Sequence, residues 1–216
     1  MAKRAFIVHG WEGNPKEGWY PWLKKELEKC GFEVWVPEMP DTDHPRIEVW
    51  VGYLKGLVRN VDADTYLVGH SVGGQAVLHY LQELPNHEKA GGVVLVAGLI
   101  DLRKGALKTE EDMEIFAPWI NESLNWKKIA KSAKRFTAIL SDNDPYVPIG
   151  VGKIFKDKLG AEIIVLHNKS HIDEAGGVKR LPEALNAILA RKSVVEGKSG
   201  ELGCRRIIPT QRGVVW

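Results

Sequence analysis

The sequence predicts a single α/β domain, a mainly parallel sheet of about six strands with helices on both faces. Two observations predict it. Six short apolar, β-branched runs alternate with longer amphipathic segments, with no internal repeat or low-complexity tract. Strands that read as continuous apolar runs belong to sheets buried on both faces. The length of 216 residues, 44% of them apolar and 27% charged, suits one domain able to bury a real core.

Each element follows in order. Ala5-Phe6-Ile7-Val8 reads as a buried strand ending at His9-Gly10, and Trp22 to Lys29 as a helix stopped by Gly31. Phe32 to Val36 is a second strand closed by Pro37, and residues 46 to 61 a second helix. Thr65 to Val68 is a strand followed by a helix from Gly74 to Leu84, and Val93 to Val96 is a fourth strand. Beyond it come strands at Phe136 to Leu140 and Glu162 to Leu166, and helices near Ile149 to Leu159 and from about Val178 to Ala190. Residues 100 to 127 break the alternation. They are polar and mixed, with Met113, Ile115, Phe116, Trp119 and Ile120 among acidic residues. They read as a surface excursion with one short helix or as a lid over a substrate pocket.

Residues 193 to 216 have neither helix nor strand period and hold four basic and two acidic residues. The domain is therefore expected to occupy residues 1 to 192, with the tail non-native or disordered. The net charge of +2 and the lack of a basic stripe with interleaved aromatics give no sign of a nucleic-acid partner. No apolar run approaches a membrane span and no signal-peptide pattern opens the chain, so a cytoplasmic protein is expected. Cys30 and Cys204 are then expected to be reduced, with Cys30 a buried, inert thiol.

The chemistry centres on Gly69-His70-Ser71-Val72-Gly73-Gly74, a match to G-x-S-x-G. An apolar strand leads in and a helical pattern leads out. A strand-to-helix turn this sharp strains the backbone at the serine, and side chains two positions either side would clash, so Gly69 and Gly73 are needed. The turn lifts Ser71 above the sheet edge and sets it at a helix N-terminus, where free N–H groups favour developing negative charge. The pattern resembles the nucleophile turn of an α/β-hydrolase fold, in which an acidic residue and then a histidine are expected to follow the serine in the chain.

The sequence supplies both partners at the same sheet edge. The acid is Asp142 or Asp144, in Ser141-Asp142-Asn143-Asp144-Pro145-Tyr146-Val147-Pro148. Asp144 is preferred because it begins an Asp-Pro-x-x-Pro turn, which resembles the form this loop commonly takes in α/β-hydrolases; the alternative for Asp142 is a turn residue capping its own backbone. The base is His167 or His171. His171 is preferred because it lies on the loop beyond the last strand, where it has reach to Ser71, while His167 directly follows the strand. Oxyanion donors are expected at the backbone N–H groups of Val72 and, from the loop His9-Gly10-Trp11-Glu12-Gly13-Asn14, of Trp11, with His9 holding that loop.

A metal is not expected, since no H-E-x-x-H occurs among the seven histidines. Neither phosphate-loop nor dinucleotide fingerprint is present, so no cofactor is expected. Of eight tryptophans, Trp35 reads as core, while Trp11, Trp19, Trp22, Trp119 and Trp126 are candidates for a pocket wall or for packing.

The runs His9 to Pro15, Trp19 to Lys24 and Val36 to Pro40, together with the serine and aspartate motifs, resemble small serine hydrolases related to retinoblastoma-binding protein 9. The resemblance covers roughly residues 3 to 190. It implies a compact α/β-hydrolase, a triad of Ser71, Asp144 and His171, and hydrolysis of small esters or amides. Two features depart from it. No L-x-C-x-E string occurs, so retinoblastoma-protein binding is not expected, and Ser170 stands where glycine usually precedes the final histidine. The expected function is cleavage of a small ester, with amide or thioester as relatives, through an acyl-enzyme. The alternative is a non-catalytic binding protein on the same scaffold.

Overall fold

A computed structural model describes residues 2–189. The expected domain end near Lys192 and the tail from 193 lie outside the described residues. Six strands form one sheet: β1 (Lys3–Val8), β2 (Phe32–Trp35), β3 (Thr65–His70), β4 (Gly92–Val96), β5 (Phe136–Ser141) and β6 (Glu162–Leu166). Their order is β2-β1-β3-β4-β5-β6, and every pairing is parallel. The helices are α1 (Tyr20–Lys29), α2 (Ile47–Val58), α3 (Val72–Glu83), α4 (Glu110–Asn121), α5 (Trp126–Ile129), α6 (Val151–Leu159) and α7 (Pro182–Leu189).

The central strands are mostly apolar because both faces are covered, while the edge strands β2 and β6 carry the exposed Glu33 and Glu162; alternate residues enter opposite cores. Phe6, Val8, Leu67, Val93, Leu95 and Ala138 pack with α2, α3 and α6. Ala5, Ile7, Val68, Val94, Val96 and Ile139 pack with α1 and α7. The chain runs from β1 outward to β2, then crosses back to place β3 on the other side of β1. That reversal opens a crevice beyond the carboxyl ends of β1 and β3, the usual ligand position in open parallel sheets.

Two elements differ from expectation. The last helix begins at Pro182 rather than Val178, because a proline presets the first helical turn while disfavouring helical backbone at the residue before it. Residues 100–127 hold a twelve-residue helix, α4, and the start of the short α5. A reciprocal cap starts α4: Thr109 Oγ1 accepts from the Asp112 N–H at 3.0 Å, and Asp112 Oδ2 accepts from the Thr109 N–H at 3.2 Å. Glu110 and Glu111 add negative charge at the helix's positive end. Phe116 and Trp119 are buried, and Trp119 Nε1 donates to the Pro45 carbonyl at 2.8 Å.

Cys30 corrects a further expectation. It is half-buried rather than buried, and the expected thiol state of the pair turns on Cys204, which lies outside the described residues. It caps the C-terminus of α1 and packs at the margin of the core shared with α7.

Candidate active site

The site is built outward from Ser71. β3 ends at His70, Ser71 takes φ +52° and ψ −121°, and α3 begins at Val72. The strained residue is held on both sides: its N–H donates to the Val96 carbonyl at 2.9 Å, and its carbonyl accepts from the Gly74 N–H at 2.9 Å. Gly69 and Gly73 are required sterically. A Cβ on Gly69 would lie 2.5 Å from the Gly73 carbonyl oxygen and from the Gly74 Cα. One on Gly73 would run into the carbonyl groups of Val8 and His9. These obstacles are backbone and cannot swing aside. Gly69→Ala is therefore expected to destabilise the fold by at least about 3 kcal/mol, read as a lower denaturant midpoint at unchanged m-value.

The acid and base loops meet beside the serine. His171 Nδ1 lies 2.9 Å from Asp144 Oδ2 and 3.1 Å from Oδ1. Asp144 Oδ1 also accepts from the N–H groups of Tyr146 and Val147, at 2.8 and 3.0 Å, which fixes the carboxylate inside its own Asp-Pro-x-x-Pro turn. Asp144 is 3% exposed and His171 9%. Facing a carboxylate, Nδ1 carries the proton, which leaves Nε2 as an acceptor. The Ser71 hydroxyl makes no hydrogen bond to any described residue.

The other two candidates pair with each other. His167 Nδ1 stands 2.6 Å from Asp142 Oδ2, and the Asn168 N–H donates to Asp142 Oδ1 at 2.9 Å. That N–H and the imidazole hold the Asp142 carboxyl below its usual range. Both residues are exposed, and neither lines the cavity around Ser71. Their contact ties the β5 loop to the β6 loop. Asn143 adds a second tie, its Oδ1 accepting from the Ser170 N–H at 2.9 Å. Ser170 sits at φ +48°, a backbone region that favours glycine. Ser170→Gly should raise stability by up to about 1 kcal/mol, measured as a higher thermal midpoint.

The loop after β1 closes the opposite wall. Gly10 packs against the serine, and a Cβ on it would lie 3.3 Å from Ser71 Cβ. His9 is buried and threads the loop: Nδ1 bonds the Gly10 carbonyl at 2.8 Å and Nε2 accepts from the Met39 N–H at 3.1 Å. Burial lowers its pKa, so the imidazole is neutral, as this bonding pattern requires. The Val72 N–H is the first of α3, where helical donors lack intrahelical partners. The Trp11 N–H has no partner among the described residues.

A cavity of about 380 Å³ joins these groups, lined by Gly10, Trp11, Ser71 and His171. Residues 100–127 contribute Leu102, Leu107 and Phe116 to its wall. Phe116 meets Trp11 edge-on, with ring centroids 5.0 Å apart. Of the other tryptophans, Trp19 lines the cavity, whereas Trp22, Trp119 and Trp126 do not; Trp35 stacks on Phe6. Among the described residues, no cluster of three or more His, Cys, Asp or Glu could hold a metal ion.

Sequence reasoning missed His70 and Tyr20. The Tyr20 hydroxyl lies 2.8 Å from His70 Nδ1, and His70 Nε2 lies 2.9 Å from the His171 carbonyl. A carbonyl only accepts, so Nε2 carries the proton and Nδ1 accepts from tyrosine. With Trp19 Nε1 donating to the Ile172 carbonyl at 2.8 Å, this holds the backbone that carries His171. Burial first, and then the neighbouring His171, push the His70 pKa down to about 4. The unfolded chain takes up this proton near pH 6.5 and the folded chain only near 4. Stability is therefore fully present above 6.5 and is lost as pH falls through that window. His70 alone contributes on the order of 3 kcal/mol, and His9 and His79, also lowered by burial, act in the same sense. Thermal midpoints between pH 4 and 7 should fall on acidification in the native protein and fall less in His70→Gln; equal slopes would reject the assignment.

Comparison with known proteins agrees with this architecture. Residues 5–190 match the family model described as serine hydrolase. The YdeN protein of Bacillus subtilis is 30% identical over 182 residues, covering 84% of this chain and 92% of that protein. The crystal structure of the B. subtilis ydeN gene product superposes with a TM-score of 0.77 at 29% identity, covering 87% of this chain and 97% of the other. The serine hydrolase RBBP9 of Rattus norvegicus is 25% identical over 171 residues, 78% of this chain and 86% of that protein. Est1E of Butyrivibrio proteoclasticus, solved with ferulic acid bound, shares the fold at 15% identity, with a TM-score of 0.63 over 87% of this chain and 90% of that one. With its all-parallel sheet and a glycine-flanked serine between β3 and α3, the chain is an α/β-hydrolase that belongs to the serine hydrolase family related to RBBP9.

Proposed function

We propose that the chain is a carboxylesterase-like serine hydrolase that cleaves a small ester, or a related amide or thioester, through an acyl-enzyme on Ser71. The observation that carries this reading is the cavity in which a strained serine at a helix N-terminus shares the space with a histidine bonded to a buried carboxylate. In this reading Ser71 Oγ attacks the carbonyl carbon while His171 Nε2 takes its proton. The bond to the departing oxygen, nitrogen or, for a thioester, sulfur breaks as His171 returns that proton to it. Water then repeats the sequence, forming the acid and freeing Ser71. Asp144 keeps the proton on Nδ1 and stabilises the imidazolium. The N–H groups of Val72 and Trp11 receive the oxyanion. Ser71 and His171 close to hydrogen-bond distance when substrate arrives, since such contacts are often long without it. Residues 100–127 act as a lid whose apolar wall covers the acyl group.

A cytosolic setting is part of the same proposal. No helix among the described residues is long and apolar enough to cross a membrane.

A fluorophosphonate probe tests the reading directly. The expected result is one phosphonyl group per chain, located on the Ser71 peptide by mass spectrometry, and a burst of p-nitrophenol from a p-nitrophenyl ester. Failure to label Ser71 in the folded protein would favour the non-catalytic binding scaffold.

A further inference from the structure

The cavity has two unlike walls. The segment between β4 and β5 contributes most of the apolar lining, Leu99, Leu102, Leu107 and Phe116. The other side follows His171 in the chain and carries Asp173 and Glu174, with Glu17 beside them: the Gly18 N–H donates to Glu174 Oε2 at 3.0 Å. Glu12 and Asp112 also line the cavity, and among the described residues Lys108 is its only lysine or arginine. Lys108 turns back to the Gly105 carbonyl at 2.7 Å, and its N–H faces Asp112. Glu174 has an exposed lysine, Lys179, at 3.7 Å. Glu17 and Asp173 have no cationic partner among the described residues; they bond Asn14 and the Gly176 N–H. Their negative field reaches inward, since both raise the pKa of the buried Tyr20 hydroxyl, behind burial itself. In a chain with net charge +2, this acidic wall is a local feature.

The walls have a direction relative to the reaction. Ser71 is 7% exposed and its hydroxyl, unpartnered among the described residues, opens into this cavity. His171 must hand its proton to the departing group, so that group leaves on the histidine side. The acidic wall is that side, and Tyr146, 43% exposed with its ring 5.0 Å from that of His171, adds an aromatic face there. The acyl group is left with the apolar wall.

We propose that this site, read as the hydrolase described above, prefers substrates with an apolar acyl group and a leaving alcohol or amine that bears a positively charged ammonium group, held by Glu17, Asp173 and Glu174. The covalent steps are those already given: the Ser71 Oγ–acyl bond forms, the bond to the ammonium-bearing leaving group breaks, and the serine proton passes through His171 to that group. Water completes the turnover.

Matched esters test it. Butanoylcholine and 3,3-dimethylbutyl butanoate share an acyl group and differ by one charge, nitrogen replacing carbon. The choline ester should have a kcat/KM about tenfold higher at low ionic strength, as two half-buried carboxylates and one exposed one acting on a single cation imply. The preference should reside mainly in KM and shrink several-fold in about 0.5 M salt. In Glu17→Gln/Asp173→Asn the ratio should fall toward one, and the salt dependence of the native protein stands as a readout if that variant folds poorly. Equal turnover of both esters overturns the inference and leaves the hydrolase reading standing. So does a stronger preference for the 3,3-dimethylbutyl ester of 4-(trimethylammonio)butanoate, which carries its cation on the acyl side. No turnover of any ester, with no phosphonylation of Ser71, removes the hydrolase reading and this inference with it.

Discussion

Ser71→Ala should leave a folded protein whose turnover is lower by on the order of 10⁴-fold or more. The expectation rests on the absence of a substitute. Ser71 is the serine of the cavity, held between β3 and α3 with its backbone pinned to Val96 and Gly74. Alanine keeps the Cβ and the same φ of +52°, so the turn, the Val72 N–H and the Asp144–His171 pair all stay in place. What is lost is the oxygen that forms the covalent bond. Residual hydrolysis would then come from water activated by His171 and from the oxyanion donors, without a burst. Stability separates this effect from misfolding. Ser71→Ala should melt close to the native protein. Ser71→Gly should melt higher, because glycine adopts this backbone without strain, a gain of up to about 1 kcal/mol. Near-native turnover by the alanine variant would refute the assignment. A fall in both turnover and melting temperature would show that the hydroxyl also holds the turn.

Much of this was legible because it is local. Ala5 to Val8, Thr65 to Val68 and Val93 to Val96 read as strands because burial on both faces removes polar residues from the run. The two glycines around Ser71 read as a turn because only they tolerate the backbone contacts there. The preference for Asp144 over Asp142 rests on the resemblance of its Asp-Pro-x-x-Pro turn to the acid loop of α/β-hydrolases; that the turn's own N–H groups hold the Asp144 carboxylate is visible only in the structure. The rest depends on contacts between distant segments. Nothing in the spacing of Tyr20, His70 and His171 shows that the first two hold the third through its carbonyl. Asp142 and His167 were each readable as a rival for a catalytic role, but their contact with one another appears only when β5 and β6 pair. The acidic wall is assembled from the loop before α1 and the loop after His171, 156 residues apart at the Gly18–Glu174 contact. The length of α4 could have been read better. Thr109 followed by Asp112 is a helix-starting pattern, and the buried spacing of Phe116 and Trp119 continues it.

Asp144→Asn should lower kcat by about 10⁴-fold, the loss that the same exchange can cause in a serine protease triad, whereas Asp142→Asn should retain most activity. The contrast follows from what each carboxylate faces. Asp144 is buried, its Oδ1 already accepts from Tyr146 and Val147, and His171 Nδ1–H donates to Oδ2. In the asparagine variant those two N–H groups keep the amide oxygen at the Oδ1 position, which turns the NH₂ group toward the imidazole. Two donors cannot face each other, so the histidine proton moves to Nε2. The nitrogen that must accept the Ser71 proton is then already protonated, and the imidazolium has lost its counter-charge. Asp142 faces His167 on the surface and touches no group of the cavity. Its replacement by asparagine keeps an oxygen for the Asn168 N–H and loses only a solvent-exposed charged contact, so a small change in thermal midpoint is expected. The pH profile separates an orienting role from a structural one. In Asp144→Asn the residual activity should rise with pH, as hydroxide takes over the proton transfer that His171 no longer performs, while Asp142→Asn should keep the native profile. Loss of activity in Asp142→Asn, with Asp144→Asn still active, would move the acid two residues nearer the strand and make the 2.6 Å His167–Asp142 pair the functional one.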